Sequence, residues 1–350
     1  MMIINGRKIG EGSPAYIIAE MSANHAGDMN RALEIIHAAK EAGADCVKIQ
    51  TYTPDTITLK CDNPYFTIES GTWEKQNLYE LYGKAYTPWE WQPRLMEEAG
   101  KLGIDFFSTP FDLTAVEFLE NMGVASYKIA SFEVTDIPLI KAVAKTGKPV
   151  IMSIGMATKE EVDEAVKTVR DCGNDSLALL KCSSVYPAIP DDMNLRMIPK
   201  LKEMYSLPAG LSDHSMGHTA ALTAVAIGAD IIEKHFCISR EIENPDASFS
   251  MEAGEFAEMV KAIRDAERAL GKPEFSLSEA EKNSRKLRKS IFVSADIKKG
   301  DTLSRENIRV VRPGAGLHPR YYEKLLGLKA SRDIAFGTPF EADMAEGFNA

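Results

Sequence analysis

Eight short, β-rich apolar runs alternate with helical patterns along this chain: Tyr16 to Glu20, Cys46 to Gln50, Asp105 to Thr109, Tyr127 to Ser131, Pro149 to Ser153, Leu177 to Ser183, Ala209 to Asp213 and Asp230 to His235. Strands covered on both faces read as continuous apolar runs, and a helix between successive strands implies parallel connections. Eight such units suit closure into a (β/α)₈ TIM barrel. An open doubly wound sheet is the alternative, but no Gly-x-Gly-x-x-Gly turn follows the first run. The helices keep their own period. Asn30 to Lys40 places Leu33, Ile36 and His37 on one face, with Asp28 near the start and Gly43 as a stop. Gly254 to Leu270 repeats the pattern with Phe256, Met259, Val260, Ile263 and Ala266.

At 350 residues the chain is longer than such a barrel, which takes about 250. Residues 1–271 read as the barrel, 272–289 as a polar, lysine-rich linker with some helix, and 290–350 as a small domain of short strands and turns. A domain of about 60 residues buries limited surface by itself, so it is expected to lean on a barrel. The stretch from Thr51 to Gln92 exceeds an ordinary βα loop of about two to six residues. It holds all three tryptophans, Trp73, Trp89 and Trp91, with Tyr65, Phe66, Tyr79, Tyr82 and Tyr86. Such a segment is either a satellite core beneath a long loop or a wall over the barrel mouth.

Composition narrows the function classes. No apolar run approaches the roughly 18 residues of a membrane span. The stretch from Met1 to Tyr16 lacks a basic region followed by a long apolar one, so cytoplasmic residence is expected. The cysteines, Cys46, Cys61, Cys172, Cys182 and Cys237, are odd in number and never spaced as Cys-x-x-Cys, which argues against a disulfide framework or a zinc knuckle. A net charge of −10 opposes nucleic-acid binding, and any anionic ligand needs its cations concentrated in one pocket.

Barrel chemistry sits at the carboxyl ends of the strands. There the sequence offers Glu20, Asn24 and His25; Lys48 and Gln50; Ser108 and Thr109; Lys128, Ser131 and Glu133; Ser153; Lys181, Ser183, Ser184 and Tyr186; Ser212, Asp213 and His214; and Glu233, Lys234 and His235. His214 and His235 end adjacent strands, where two imidazoles can share one metal ion and leave positions open; two hydrogen-bonded rim histidines are the plain alternative. His37 reads as a helix-face residue and His218 as a helix start, while His25 and His318 have no assignment. Lysines inside strands are costly to bury without an anion, so Lys48 and Lys128 suggest a phosphate or carboxylate ligand, with Thr109, Ser131, Ser153 and Ser212 as neutral donors. They can also pair with Glu20 and Glu133 in an internal network. Inward lysines fit a Schiff-base aldolase too, which would not need the two histidines.

Read in order, IAEMSANHAGD, VKIQT, FSTPFD, YKIAS, MSIGMAT, KCSSVYP, LSDHS and EKHF resemble the strand-end motifs of the sialic acid synthase family. Ser290 to Ala350 resembles the antifreeze-like (SAF, β-clip) domain that these enzymes carry. The resemblance implies condensation of phosphoenolpyruvate with an open-chain N-acetylated amino sugar, releasing phosphate, with a divalent metal such as Mn²⁺ or Mg²⁺. It assigns the metal to His214 and His235, and catalytic roles to Glu20, Glu133 and Lys48. Phosphoenolpyruvate falls to Lys48, Thr109, Lys128, Ser131, Ser153, Ser184 and Ser212, with Asp213 also counted as substrate-binding; at Ser184 many members carry asparagine. Gln50, Tyr186 and Asp246 match sugar-side positions. Arg312 matches an arginine that reaches the neighbouring subunit, which implies a homodimer with the small domain swapped onto the partner's barrel.

Within the insertion, NLYELYGKAYTPWEWQ resembles the pseudaminic acid branch of that family. Its substrate, a 2,4-diacetamido-2,4,6-trideoxy-L-altrose, carries a methyl and a second acetamide where other sugars carry hydroxyls, and aromatic walls suit it. N-acetylneuraminate or legionaminate synthesis by the same chemistry is the alternative. Ice binding by the antifreeze-like segment is a further alternative, opposed by the charges Lys298, Lys299, Asp301, Arg305, Glu306, Arg309 and Arg312.

Overall fold

Alternate residues along a parallel strand face opposite sides, and here that rule sorts the whole first unit. The computed structural model describes residues 2–10 and 12–349, which form two compact units, Met1–Gly271 and Lys272–Ala350. The first opens with an antiparallel hairpin, β1 (Met2–Ile4) and β2 (Arg7–Ile9). Eight parallel strands follow: β3 (Tyr16–Glu20), β4 (Cys46–Thr51), β5 (Asp105–Pro110), β6 (Tyr127–Ile129), β7 (Val150–Ser153), β8 (Leu177–Cys182), β9 (Ala209–Asp213) and β10 (Ile231–Cys237). They pair in chain order, and β10 pairs with both β9 and β3, so the sheet closes as a barrel. The open-sheet alternative fails on that closure.

Tyr16, Ile18, Cys46, Phe107, Ile151, Ala178, Leu180 and Ile231 fill the barrel interior together with Met2, Ile4 and Ile9 of the hairpin. The intervening residues, among them Ile17, Ala19, Val47, Ile49, Leu177 and Leu179, pack in the layer beneath the helices. The hairpin thus plugs the amino end of the barrel with apolar side chains. Space there is tight: a Cβ on Gly210 would lie 2.1 Å from the Ile231 carbonyl oxygen, so β9 and β10 need a glycine at this crossing. The same inward parity continues upward into Glu20, Lys48, Ser212 and Glu233, so one barrel has an apolar base and a charged mouth.

Strand β6 is shorter than its apolar run. After Ile129 the chain turns into a single 3₁₀ turn, Ser131–Glu133, which lifts Ser131 and Glu133 out of the sheet plane at the mouth. The first helix spans Met29–Glu41, and the Asp28 carboxylate accepts from the Asn30 amide at 2.8 Å, a cap worth about 1 kcal/mol. Its buried stripe is Ala32, Ile35, Ile36 and Ala39; Leu33 lies at the edge, and His37 faces outward to Glu98. The last barrel helix, Ala253–Leu270, buries Phe256, Met259, Val260 and Ile263.

The Thr51 to Gln92 stretch has its own structure, with helices Pro54–Ile57 and Leu78–Ala85 and a bridge between Thr67 and Asn77. Hydrogen bonds from Thr51 Oγ1 to Gln92 Oε1 (2.8 Å) and between Thr87 Oγ1 and His25 Nε2 (3.2 Å) tie it down. In the second unit, β11 (Ser290–Val293) pairs antiparallel with β12 (Ile308–Val311) over a core of Ile291, Val293, Leu303, Ile308, Leu325 and Phe340. A short helix, Glu279–Ser284, stands in the exposed 272–289 segment. Among the described residues no helix is long and apolar enough to cross a membrane.

Candidate active site

Inward parity brings two lysines and two glutamates together at the floor of the barrel mouth. Lys48 Nζ lies 2.5 Å from Glu20 Oε2 and 3.7 Å from Glu233 Oε1, and Lys128 Nζ lies 3.9 Å from that same Glu233 oxygen. All four side chains are buried. Lys48 also donates to Thr109 Oγ1 (3.2 Å) and Lys128 to Ser153 Oγ (2.6 Å), while Ser212 Oγ donates to Glu233 Oε1 (3.2 Å). Burial alone would neutralise Glu233, but the two lysines overcome it and hold its carboxyl below the usual range. Burial raises Glu20, and the neighbouring Glu233 adds to that rise against the pull of Lys48. Burial lowers Lys128; the two carboxylates outweigh burial at Lys48 and raise it. These groups surround a cavity of about 60 Å³, also walled by Ser131, Cys182 and Tyr186. At that size it takes a small anion beside the ammonium groups, and Glu233 occupies their positive field in the meantime.

His214 and His235 stand on the side of this cavity, with ring centroids 5.4 Å apart. His214 Nδ1 is 3.0 Å from the Ser183 carbonyl oxygen, and donation there leaves Nε2 as its lone-pair donor. His235 Nδ1 is buried with no partner, and burial followed by the His214 charge holds this ring well below its usual pKa, hence neutral. Burial opposes a charge on His214, but Cys182, the Ser183 carbonyl and Glu233 outweigh it and raise its pKa, so a divalent cation that accepts nitrogen ligands would take the lone pair of neutral His235 and displace the His214 proton. Among the described residues no cluster of three or more His, Cys, Asp or Glu surrounds such a position, so remaining ligands would come from substrates or water. Burial opposes ionisation of Cys182, yet His214, with its Nδ1 3.7 Å away, together with Ser131 and Lys128, pulls the thiol down to about 7.

Above the floor lies a second, wider cavity of about 470 Å³ that shares Gln50, Phe111, Ala130, Phe132, Tyr186 and His235 with the first. Its other walls are Tyr52, Ile57, Ile68, Trp73, Leu78, Leu81 and Tyr82 from the insertion, with Glu133, Pro245 and Asp246. Tyr186 stacks on His214 at 4.1 Å and contacts Trp73 at 5.4 Å, joining the two chambers. Trp73 Nε1 donates to the Pro245 carbonyl (2.9 Å), which holds the insertion against the loop after β10. Burial pushes Glu133 up to about 7 against the pull of Lys128, and its Oε2 has no partner.

This two-chambered mouth can be compared with known proteins. The NeuB family profile matches residues 35–275, and the SAF domain profile matches residues 288–346. The chain belongs to the NeuB family. Among NeuB relatives, the pseudaminic acid synthase of Campylobacter jejuni subsp. jejuni serotype O:2 is 49% identical, over 92% of this chain and 94% of that one. The pseudaminic acid synthase of Helicobacter pylori is 45% identical over 95% and 98%. The crystal structure of an N-acetylneuraminic acid (sialic acid) synthetase from Leptospira borgpetersenii serovar Hardjo-bovis, in complex with citrate, superposes with a TM-score of 0.72 at 34% identity, covering 81% of this chain and 94% of that one.

In this NeuB chain Glu20, Lys48, Gln50, Thr109, Lys128, Ser131, Ser153, Tyr186, Ser212, His214 and His235 all line the inner cavity, and Glu133 and Asp246 line the outer one. Ser184 lies just beyond the wall, where its hydroxyl and that of Ser131 fill the space a Cβ on Gly155 would take. Asp213 departs from expectation. It faces the opposite way from Ser212 and His214, is fully buried behind the strand, and pairs with Lys234 at 2.8 Å, so it lines neither cavity. Arg312 is exposed in the second unit. Among the polar residues of the floor, Glu233 and Cys182 had no role assigned from the sequence; Glu233 shares inward parity with the assigned His235, and Cys182 with Leu180 of the barrel interior.

Proposed function

We propose that this chain is a pseudaminic acid synthase, which joins phosphoenolpyruvate to 2,4-diacetamido-2,4,6-trideoxy-L-altrose and water to give pseudaminic acid and phosphate. The observation that carries the reading is the pairing of a small lysine-bearing floor with a wide aromatic chamber across a shared wall of Gln50, Tyr186 and His235. Lys48 and Lys128 hold the phosphate and carboxylate of phosphoenolpyruvate, with Thr109, Ser131, Ser153, Ser184 and Ser212 as neutral donors; Glu233 gives up its place between the lysines or turns toward them. The outer chamber aligns the open-chain sugar, with Gln50, Tyr186 and Asp246 on its polar edge.

Carbon 3 of phosphoenolpyruvate attacks the sugar aldehyde carbon, forming the new C–C bond and leaving positive charge at carbon 2. Water adds there and gives one proton to a carboxylate, Glu20 or Glu133, which passes it to the alkoxide left on the former aldehyde carbon. The tetrahedral carbon then expels phosphate as its C–O bond breaks, and its hydroxyl gives up its proton to the departing phosphate and becomes the ketone. A manganese or magnesium ion held by His214 and His235 would supply Lewis-acid polarisation of the aldehyde oxygen. The charged floor works where little water remains, so its fixed dipoles and charges act at low dielectric.

Arg312 supports a homodimer in which each second unit completes the partner's mouth; mixed dimers of Arg312→Ala and Lys128→Met chains should regain activity that neither parent has. The reaction is tested by phosphate release with Mn²⁺, comparing the trideoxy altrose with N-acetylmannosamine and the legionaminate precursor. Release with the altrose alone supports the reading. Release only with another sugar overturns the branch, and a borohydride-trapped pyruvate adduct on Lys48 or Lys128 would replace it with an aldolase.

A further inference from the structure

Among the described residues, the most enclosed ion pair of the first unit plays no part in the chemistry above, yet it binds together the residues on both sides of one histidine and is adjacent in sequence to the other. Lys234 and Asp213 are register partners on β10 and β9, and their side chains are about 1% and 0% exposed. Lys234 Nζ donates to Asp213 Oδ2 at 2.8 Å and to the Ser215 carbonyl oxygen at 2.6 Å. Asp213 Oδ1 in turn accepts from the Ser215 amide (2.9 Å) and the Ser215 hydroxyl (2.7 Å). One ammonium therefore grips the residue before His214 and the residue after it, while its own backbone runs directly into His235.

We propose that Asp213, Lys234 and Ser215 are positioning residues that set the relative placement of His214 and His235, and hence the affinity of the pair for a divalent cation. The inference rests on the metal reading of those histidines. Neither Asp213 nor Lys234 lines a cavity, so neither touches substrate. A buried ion pair is poor evidence for stability, since well-packed apolar replacements are often neutral or better, and this leaves a role in orientation open to test. The geometry assigns that role: β9 ends at Asp213, and the following chain is held by the Ala188 amide donating to the His214 carbonyl (3.0 Å) and by the Lys234 clamp. Without the clamp, the ring of His214 keeps its bond to the Ser183 carbonyl but loses its fixed distance from β10.

The test is Mn²⁺ binding without substrate, read from the electron paramagnetic resonance of free Mn²⁺, on the full chain and on three variants. The paired apolar replacement Asp213→Leu/Lys234→Met should melt within a few degrees of the parent and bind Mn²⁺ about 10- to 100-fold more weakly, the range typical when supports of metal ligands are removed. Ser215→Ala, which removes only the hydroxyl bond, should fold normally and weaken binding by roughly threefold; it carries the test if the paired variant does not fold. His235→Ala is the control. Loss of binding in His235→Ala with parental affinity in the folded paired variant, or in Ser215→Ala if that is the one that folds, overturns the positioning role alone. Undiminished binding in His235→Ala overturns the metal reading and this inference with it.

Discussion

The inner and outer chambers share six wall residues but are built by opposite means. The floor is made by the barrel itself, by side chains at strand ends whose direction is fixed by parity, and it is small and charged. The outer chamber is made largely by the Thr51 to Gln92 insertion, and it is wide and mostly apolar. The difference separates two tasks. A floor of strand-end lysines, serines and glutamates can keep one small anionic substrate and one reaction, while an insertion on the rim can change with the second substrate. Rigidity follows the same division, since floor residues such as Glu20, Lys48 and Glu233 are held by sheet pairing on both sides and the insertion by a few bonds such as that from Trp73 to Pro245.

The comparison breaks most easily at Lys128. Lys128→Met removes a buried cation that no wall residue replaces, and kcat/KM for phosphoenolpyruvate should fall by roughly 10²- to 10³-fold, while KM for the sugar stays within about twofold. Steady-state kinetics with each substrate varied in turn decides it. Equal movement of both KM values would mean that the chambers do not divide the substrates. The insertion gives a smaller effect of the opposite kind. Leu78→Asn places an amide in the apolar wall. It should cost about 10- to 100-fold in kcat/KM for the trideoxy sugar relative to N-acetylmannosamine, with KM for phosphoenolpyruvate unchanged. An unchanged ratio between the sugars would remove the insertion from substrate choice.

Legibility in the sequence follows the same line. Strand ends are dense, periodic signals, and all eight expected strands have both ends within two residues of those found, because each has to be apolar on both faces. Strand β6 ends early because Ser131 and Glu133 belong to the mouth, not to the sheet. Asp213 was misplaced by treating SDHS as one cluster; strand parity separates Ser212 and His214 from it, and the same parity would have drawn Glu233 onto the floor. The hairpin that plugs the barrel left no readable trace, as strands of three residues are too short to show a period. Nor did the insertion's shape, whose contacts, Trp89 against Phe118 and Trp73 against Tyr186, are set by tertiary packing and not by spacing.

Glu133 sharpens the contrast at its weakest point, because it is a carboxyl in the apolar chamber. Enclosed on one side, it is pushed by burial from 4.5 to about 7, while Lys128 pulls the other way. Its folded pKa lies above its unfolded one, so the folded state binds this proton more tightly. The stability it contributes is complete below about 4.5 and is lost as the pH rises through about 7. Glu133→Gln keeps the size of the group and removes the titration. At pH 5 the variant and the parent should melt together. By pH 8 the variant should be more stable by about 1–2 kcal/mol, after allowing for the open side of the group, or roughly 2–5 °C. Thermal melts across that range, with the parent's activity profile alongside, settle whether the proton matters to the fold alone. If the variant's stability follows the parent's at every pH, Glu133 is ionised throughout, and the outer chamber carries a fixed negative charge that the sugar's amides must meet.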